Sequence, residues 1–144
     1  MAIQRMDNVG IVFNDLKAAV AFFLELGLEL EGQMTVDGDW AARICGFDEV
    51  KVDVAMMRTP DGHSKLEMMQ YHTPTAVGGE QNTPVNTLGI RRLLFAVDDI
   101  EDVLARLRTH GAELIGELTR IEDSWLMCYL RGPEGIIIAL AEQL

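Results

Sequence analysis

The sequence predicts an α+β protein made of two tandem βαβββ modules. Three observations predict it: two halves of the chain resemble each other, each half contains one capped amphipathic helix, and each helix is followed by runs of alternating apolar residues. Laid without a gap over residues 92–119, residues 8–35 match Asp15 to Asp99, Ala21 to Ala105, Gly27 to Gly111, Glu29 to Glu113, Leu30 to Leu114, Gly32 to Gly116 and Thr35 to Thr119. Self-similarity at a fixed offset is the signature of a duplicated unit.

The elements follow in order. An apolar run at residues 9–13 reads as the first strand. Asn14 and Asp15 then open a segment whose apolar positions Leu16, Ala19, Val20, Phe23 and Leu26 recur at spacings of three and four, a helical stripe that Gly27 ends. In the second half Asp98 and Asp99 precede Ile100, Val103, Leu104 and Leu107, and Gly111 closes the helix. The acidic pairs suit the positive end of each helix dipole. Period-2 runs at 28–36, 50–58 and 63–71, and again at 113–121, 124–131 and 136–141, read as strands. Pro60-Asp61-Gly62 and Pro133-Glu134-Gly135 are the corresponding turns before the last strand of each half. Two Thr-Pro pairs and Gly78-Gly79 mark a linker, which divides one domain of residues 1–144 into module 1 (about 1–72), linker (about 73–87) and module 2 (about 88–144).

Composition bounds the function. The chain has 144 residues, with 12 basic against 23 acidic side chains and a net charge of −11. Such a charge repels phosphate backbones and anionic headgroups, so neither nucleic acid nor a membrane surface is an expected partner. No apolar run reaches the roughly 18–20 residues of a membrane helix, and residues 1–8 lack the pattern of a secretion signal. The expected location is the cytoplasm. Cys45 and Cys128 are too few and too far apart for a disulfide framework or a cysteine zinc site, and read as small packing residues.

The pattern resembles the vicinal oxygen chelate superfamily, which includes glyoxalase I, extradiol dioxygenases and bleomycin-resistance proteins. The resemblance spans nearly the whole chain and is carried most specifically by Met6-Asp7-Asn8-Val9-Gly10-Ile11-Val12, by Val97-Asp98-Asp99-Ile100 and by Arg131-Gly132-Pro133-Glu134-Gly135. It implies curled mixed sheets with helices outside, a cupped cavity holding the site, and a homodimer. If the more uniformly apolar parity of each strand meets the helices, then Val9, Ile11 and Phe13 face outward and Asn8, Gly10 and Val12 inward. Leu93, Phe95 and Val97 likewise leave Arg92, Leu94 and Ala96 for the cavity. Val50, Val52, Val54 and Met56 leave Asp53, Ala55 and Met57. Glu67, Met69 and Tyr71 oppose Leu66 and Met68, and Trp125, Met127 and Tyr129 oppose Leu126, Cys128 and Leu130. Trp40, between two strands, either caps the cavity or covers a sheet edge. The expected lining, with Met57, Met69, Trp125, Met127 and Tyr129, is aromatic and rich in methionine, and suits a large apolar ligand.

Catalytic members of the superfamily commonly hold a divalent metal with His and Glu from four strands. Carried over position by position, the first His is Asn8, the Glu of the fourth strand is Glu67, the second His is Arg92 and the last Glu, four residues after Gly135, is Ala139. A methyl donates nothing to a metal, and a guanidinium is a permanent cation. Two unit charges about 4 Å apart interact by about 4 kcal/mol at an effective dielectric of 20, and a dication feels about twice that repulsion. No metal and no other cofactor is therefore expected. A salt bridge between Glu67 and Arg92 is expected instead, either as structural glue or with Arg92 and Asn8 donating to a ligand carbonyl or carboxylate and Glu67 accepting from it.

Three readings follow, the last being an interaction domain with no small ligand. The first is a metal-free binding protein that sequesters a bulky aromatic or apolar molecule such as an antibiotic, with Asn8, Trp40, Met57, Glu67, Met69, Arg92, Trp125, Met127 and Tyr129 as ligand contacts. The second is a glyoxalase-like lyase, epimerase or dioxygenase, either with a rebuilt metal site or using Glu67 as general base and Arg92 to stabilise an enolate.

Overall fold

A computed structural model describes residues 2–144. Two compact units divide it, one ending at Gly78 and the other spanning Gly79–Leu144. Each is a mixed, open sheet with helix packed on it, so the α+β class and the βαβββ order of both halves are present.

In the first unit β1 (Val9–Val12), α1 (Leu16–Leu26), β2 (Glu29–Asp37), α2 (Asp39–Cys45), β3 (Lys51–Arg58) and β4 (Lys65–Thr73) follow in turn. The sheet order is β1-β4-β3-β2, with β1 parallel to β4 and the other pairs antiparallel. Asp15 caps α1 by accepting from the Ala18 amide at 3.0 Å. Gly27 ends the helix at φ 121°, where a Cβ would be strained, and its amide donates to Phe23 and Leu24 carbonyls. Beyond the predicted stripe the helix also buries Phe22, whose ring meets Phe23 edge-on at 5.3 Å.

The second unit contains β5 (Arg92–Ala96), α3 (Ile100–Arg108), β6 (Glu113–Leu114), β7 (Thr119–Ile121), β8 (Trp125–Arg131) and β9 (Ile137–Gln143). Its sheet order is β5-β9-β8-β6, with β7 also paired to β8. Asp99 caps α3 by accepting from the Asp102 amide at 3.1 Å, with Glu101 and Asp102 in the first turn and Arg106 and Arg108 in the last, as the dipole favours. The helix ends at Arg108, before the predicted stop, and the left-handed Gly111 serves the turn beyond it. The single strand expected over 113–121 is broken into β6 and β7 by a bend around Gly116.

Register places side chains on faces. Antiparallel partners stand on the same face, so Met57 with Leu66, Ala55 with Met68, and Asp53 with Gln70 form one surface. That surface meets α1, because the Gln70 side-chain oxygen accepts from the Leu16 amide at 3.1 Å. The opposite surface is covered by α2: Ala41 and Ala42 pack on Val50, Val52 and Val54, with Val36, Met69 and Tyr71 around them. The expected faces of β3 are thus reversed. Met57 lies fully buried on the α1 side, while Val52 and Val54 belong to the other face. The criterion failed because β3 is buried on both faces, and its more uniform valine parity meets the unanticipated second helix.

Cys128 is buried, which pushes its thiol up, whereas Cys45 is exposed at the end of α2. Among the described residues no helix is long and apolar enough to cross a membrane.

Candidate ligand site

The face of the second unit turned away from α3 carries four of the nine predicted contacts, Arg92, Trp125, Met127 and Tyr129. Its orientation is set by Glu142, whose carboxylate accepts from the Ile100 amide at 2.8 Å and so marks the α3 side. Alternation then puts Arg92, Leu94 and Ala96 of β5, Ile137, Ala139 and Ala141 of β9, and Trp125, Met127 and Tyr129 of β8 on the other side. Leu94, Ala139 and Tyr129 stand in one transverse row, with β9 in the middle.

Arg92 reaches across that middle strand. Its guanidinium carbon lies 5.3 Å from the centroid of the Tyr129 ring, a cation–π contact. Outer strands two spacings apart are separated by about 10 Å, so only a long side chain passing over the central strand closes the gap. Ala139, fully buried and ending in a methyl, is the neighbour that leaves this path open. A cation–π contact uses the charge of the guanidinium and none of its N–H groups, which can donate to a carboxylate or carbonyl. Within its own unit, and among the described residues, Arg92 has no carboxylate partner. Trp125 retains 36% of its surface, and Met127 and Tyr129 are half-buried.

In the first unit, Glu67 and Met69 lie on the face away from α1, in register with Gly10 and Val12 respectively. Both are half-buried. A Cβ on Gly10 would stand 3.1 Å from the Met69 terminal methyl, so a larger residue here would push that methyl aside. Asn8 donates from its side-chain amide to Asp7 at 3.0 Å, and this bond, with a second from Arg5, holds the Asp7 carboxyl below the usual range. Trp40 projects from α2 and is largely exposed. Met57, expected as a ligand contact, has no exposed surface and lies on the opposite face. The salt bridge expected between Glu67 and Arg92 joins residues of different units.

Sequence reasoning missed an apolar groove of about 260 Å³ in the first unit, lined by Val12, Phe47, Tyr71 and residues 74–77. Only Val12, by its inward parity, and Tyr71, by sharing the parity of Glu67 and Met69, carried a signal; the remainder comes from segments read as linker or left unassigned. Burial, then the contact with Cys45 and the negative charge of Glu67, push the Tyr71 hydroxyl above its ordinary value.

The metal that the fold family implies does not fit these residues. Arg92 is a fixed cation set against an aromatic ring and Ala139 offers a buried methyl, so two of the four positions supply no electron pair. Among the described residues no group of three or more His, Cys, Asp or Glu side chains is placed to hold an ion. The His72 ring is bound to Asp53 at 2.7 Å and does not replace a missing ligand.

Comparison with known proteins gives the same fold. A crystal structure of a glyoxalase-family protein from Bacillus cereus is 48% identical, covers 100% of this chain and 99% of its own, and superposes with a TM-score of 0.96. The Escherichia coli protein YaeR is 24% identical over 146 residues, covering 99% of both chains. TnmS3, an antibiotic binding protein from Streptomyces sp. CB03234, shares the fold at 18% identity and a TM-score of 0.60 over 100% of this chain and 99% of that one. The model of the Glyoxalase/Bleomycin resistance protein/Dioxygenase superfamily matches residues 5–140, and the chain belongs to that superfamily.

Proposed function

We propose that this protein is a metal-free small-molecule binder that sequesters a bulky aromatic or apolar ligand such as an antibiotic, acting as a cytoplasmic homodimer. The observation that carries this reading is the cation–π contact of Arg92 with Tyr129, whose partner on β9 is Ala139. At two positions where a metalloenzyme of this fold places electron-pair donors, this chain builds a cationic, aromatic surface. A planar ligand with a carbonyl or carboxylate edge would lie against Trp125, Met127 and Tyr129 and receive hydrogen bonds from the guanidinium fork. That TnmS3, an antibiotic binding protein, has the same fold supports this reading. Capture of this kind works by affinity rather than turnover.

The test is tryptophan fluorescence during titration with anthraquinone carboxylates and neutral polycyclic aromatics. Saturable quenching is expected with the carboxylates, abolished in Trp125→Phe and retained in Trp40→Phe. Absence of saturable quenching across the panel would overturn the proposal, as would quenching that survives Trp125→Phe.

A further inference from the structure

The first unit carries a second cavity, on the α1 side of its sheet and therefore across the sheet from Glu67 and Met69. It holds about 430 Å³ beside the first turns of α1, over β2 and β3. This volume falls within the range of small-molecule pockets. Most of the sheet surface here is apolar, with Ala55, Met57, Leu66 and Met68 buried on it. Polar side chains interrupt it at Gln33, opposite Ala55, and along one whole transverse row, where Thr35, Asp53 and Gln70 stand directly opposite one another on β2, β3 and β4.

Each member of the row is fixed by a bond that leaves part of its capacity free. The Thr35 hydroxyl donates to one Asp53 oxygen at 2.7 Å, and His72 Nε2 lies 2.7 Å from the other. An ionised carboxylate only accepts, so His72 donates, and each Asp53 oxygen retains a lone pair. The hydrogen bond from His72, and then that from Thr35, hold the Asp53 carboxyl below the usual range and keep it ionised. Gln70 commits its oxygen to the Leu16 amide, which leaves its N–H groups as donors. A positioned acceptor thus sits beside a positioned donor, about 5 Å away in the row. Lys17 supplies a cation on the helix side and Val20 an apolar wall.

We propose that this cavity binds a monosaccharide-sized polyol bearing one anionic group, of the sugar-acid or sugar-phosphate class. Hydroxyls both donate and accept, so neighbouring hydroxyls satisfy Asp53 and Gln70 together. The anionic group pairs with the Lys17 ammonium, and the C–H face of the ligand lies on Val20. A purely apolar ligand would cover the polar row without satisfying its remaining donors and acceptors.

The test is an amide-resolved NMR titration of the full chain with gluconate, a hexose phosphate, sorbitol and inorganic phosphate. Gluconate or the hexose phosphate is expected to shift the Leu16, Thr35, Asp53 and Gln70 amides saturably with a Kd of about 1 mM or below, and the tighter of the two identifies the anion. Sorbitol and phosphate alone should each bind about tenfold more weakly or less. Asp53→Asn, which keeps the shape and removes the ionised acceptor, should weaken binding about tenfold. Lys17→Met, at an exposed position that folding does not need, should erase the preference over sorbitol. The proposal is overturned if neither anionic polyol shifts these amides at about 20 mM, if both variants bind unchanged, or if phosphate alone matches the polyols.

Discussion

Arg92→Ala is expected to weaken binding of an anthraquinone carboxylate by about tenfold to a hundredfold. The estimate comes from the hydrogen bonds that the guanidinium would give to a charged group, about 1.5–3 kcal/mol, at about 1.4 kcal/mol per decade of affinity. Stability should change little. The contact with Tyr129 is a cation–π interaction at a partly exposed site, worth about 0.5–1 kcal/mol, so Tm should fall by no more than about 4 °C. Arg92→Lys keeps the charge but loses the fork and the flat face, and should fall between wild type and the alanine variant. Fluorescence titration of the three proteins checks the order. Equal affinities would remove Arg92 from the ligand site.

Phe23→Ala should cost about 3–5 kcal/mol of folding stability, read from urea unfolding. The Phe23 ring is 0% exposed and stands edge-on to Phe22 at 5.3 Å, inside the packing of α1. Truncation removes apolar surface from a core closed on every side and leaves a cavity that the sheet cannot collapse to fill. Met57→Ala, beneath the same helix, should lose about 2–5 kcal/mol without altering ligand affinity beyond what lost folding explains. A Met57 variant that folded stably and failed to bind would restore that residue to the ligand surface.

Much of the architecture was legible because its signals are local. Asp15 and Asp99 cap the helices that follow them, and the stripe from Leu16 to Leu26 is the buried face of α1. The failures have physical causes. Helix α2 escaped because seven residues bounded by Gly38 and Gly46 hold too few turns for periodicity to register, and only the adjoining Ala41 and Ala42 hinted at close packing. Missing α2 then inverted β3, since a strand covered on both sides offers no polar parity to orient it. Around the candidate site, Arg92 and Tyr129 were both singled out, yet their contact was not. It depends on β9 lying between β5 and β8 and on which residue of β9 falls in the row, and sequence alone does not state register. The row of Thr35, Asp53 and Gln70 was invisible for the same reason, since it exists only once three strands are aligned.

The loss of metal-donor groups at Arg92 and Ala139 is the claim on which the functional reading rests. It is tested most directly by elemental analysis of the purified chain after exposure to zinc, nickel, manganese and iron salts and desalting, combined with ligand titration before and after a chelator. The account predicts far less than one equivalent of any metal per chain and a ligand affinity indifferent to chelation. One retained equivalent whose removal abolishes ligand binding would contradict it.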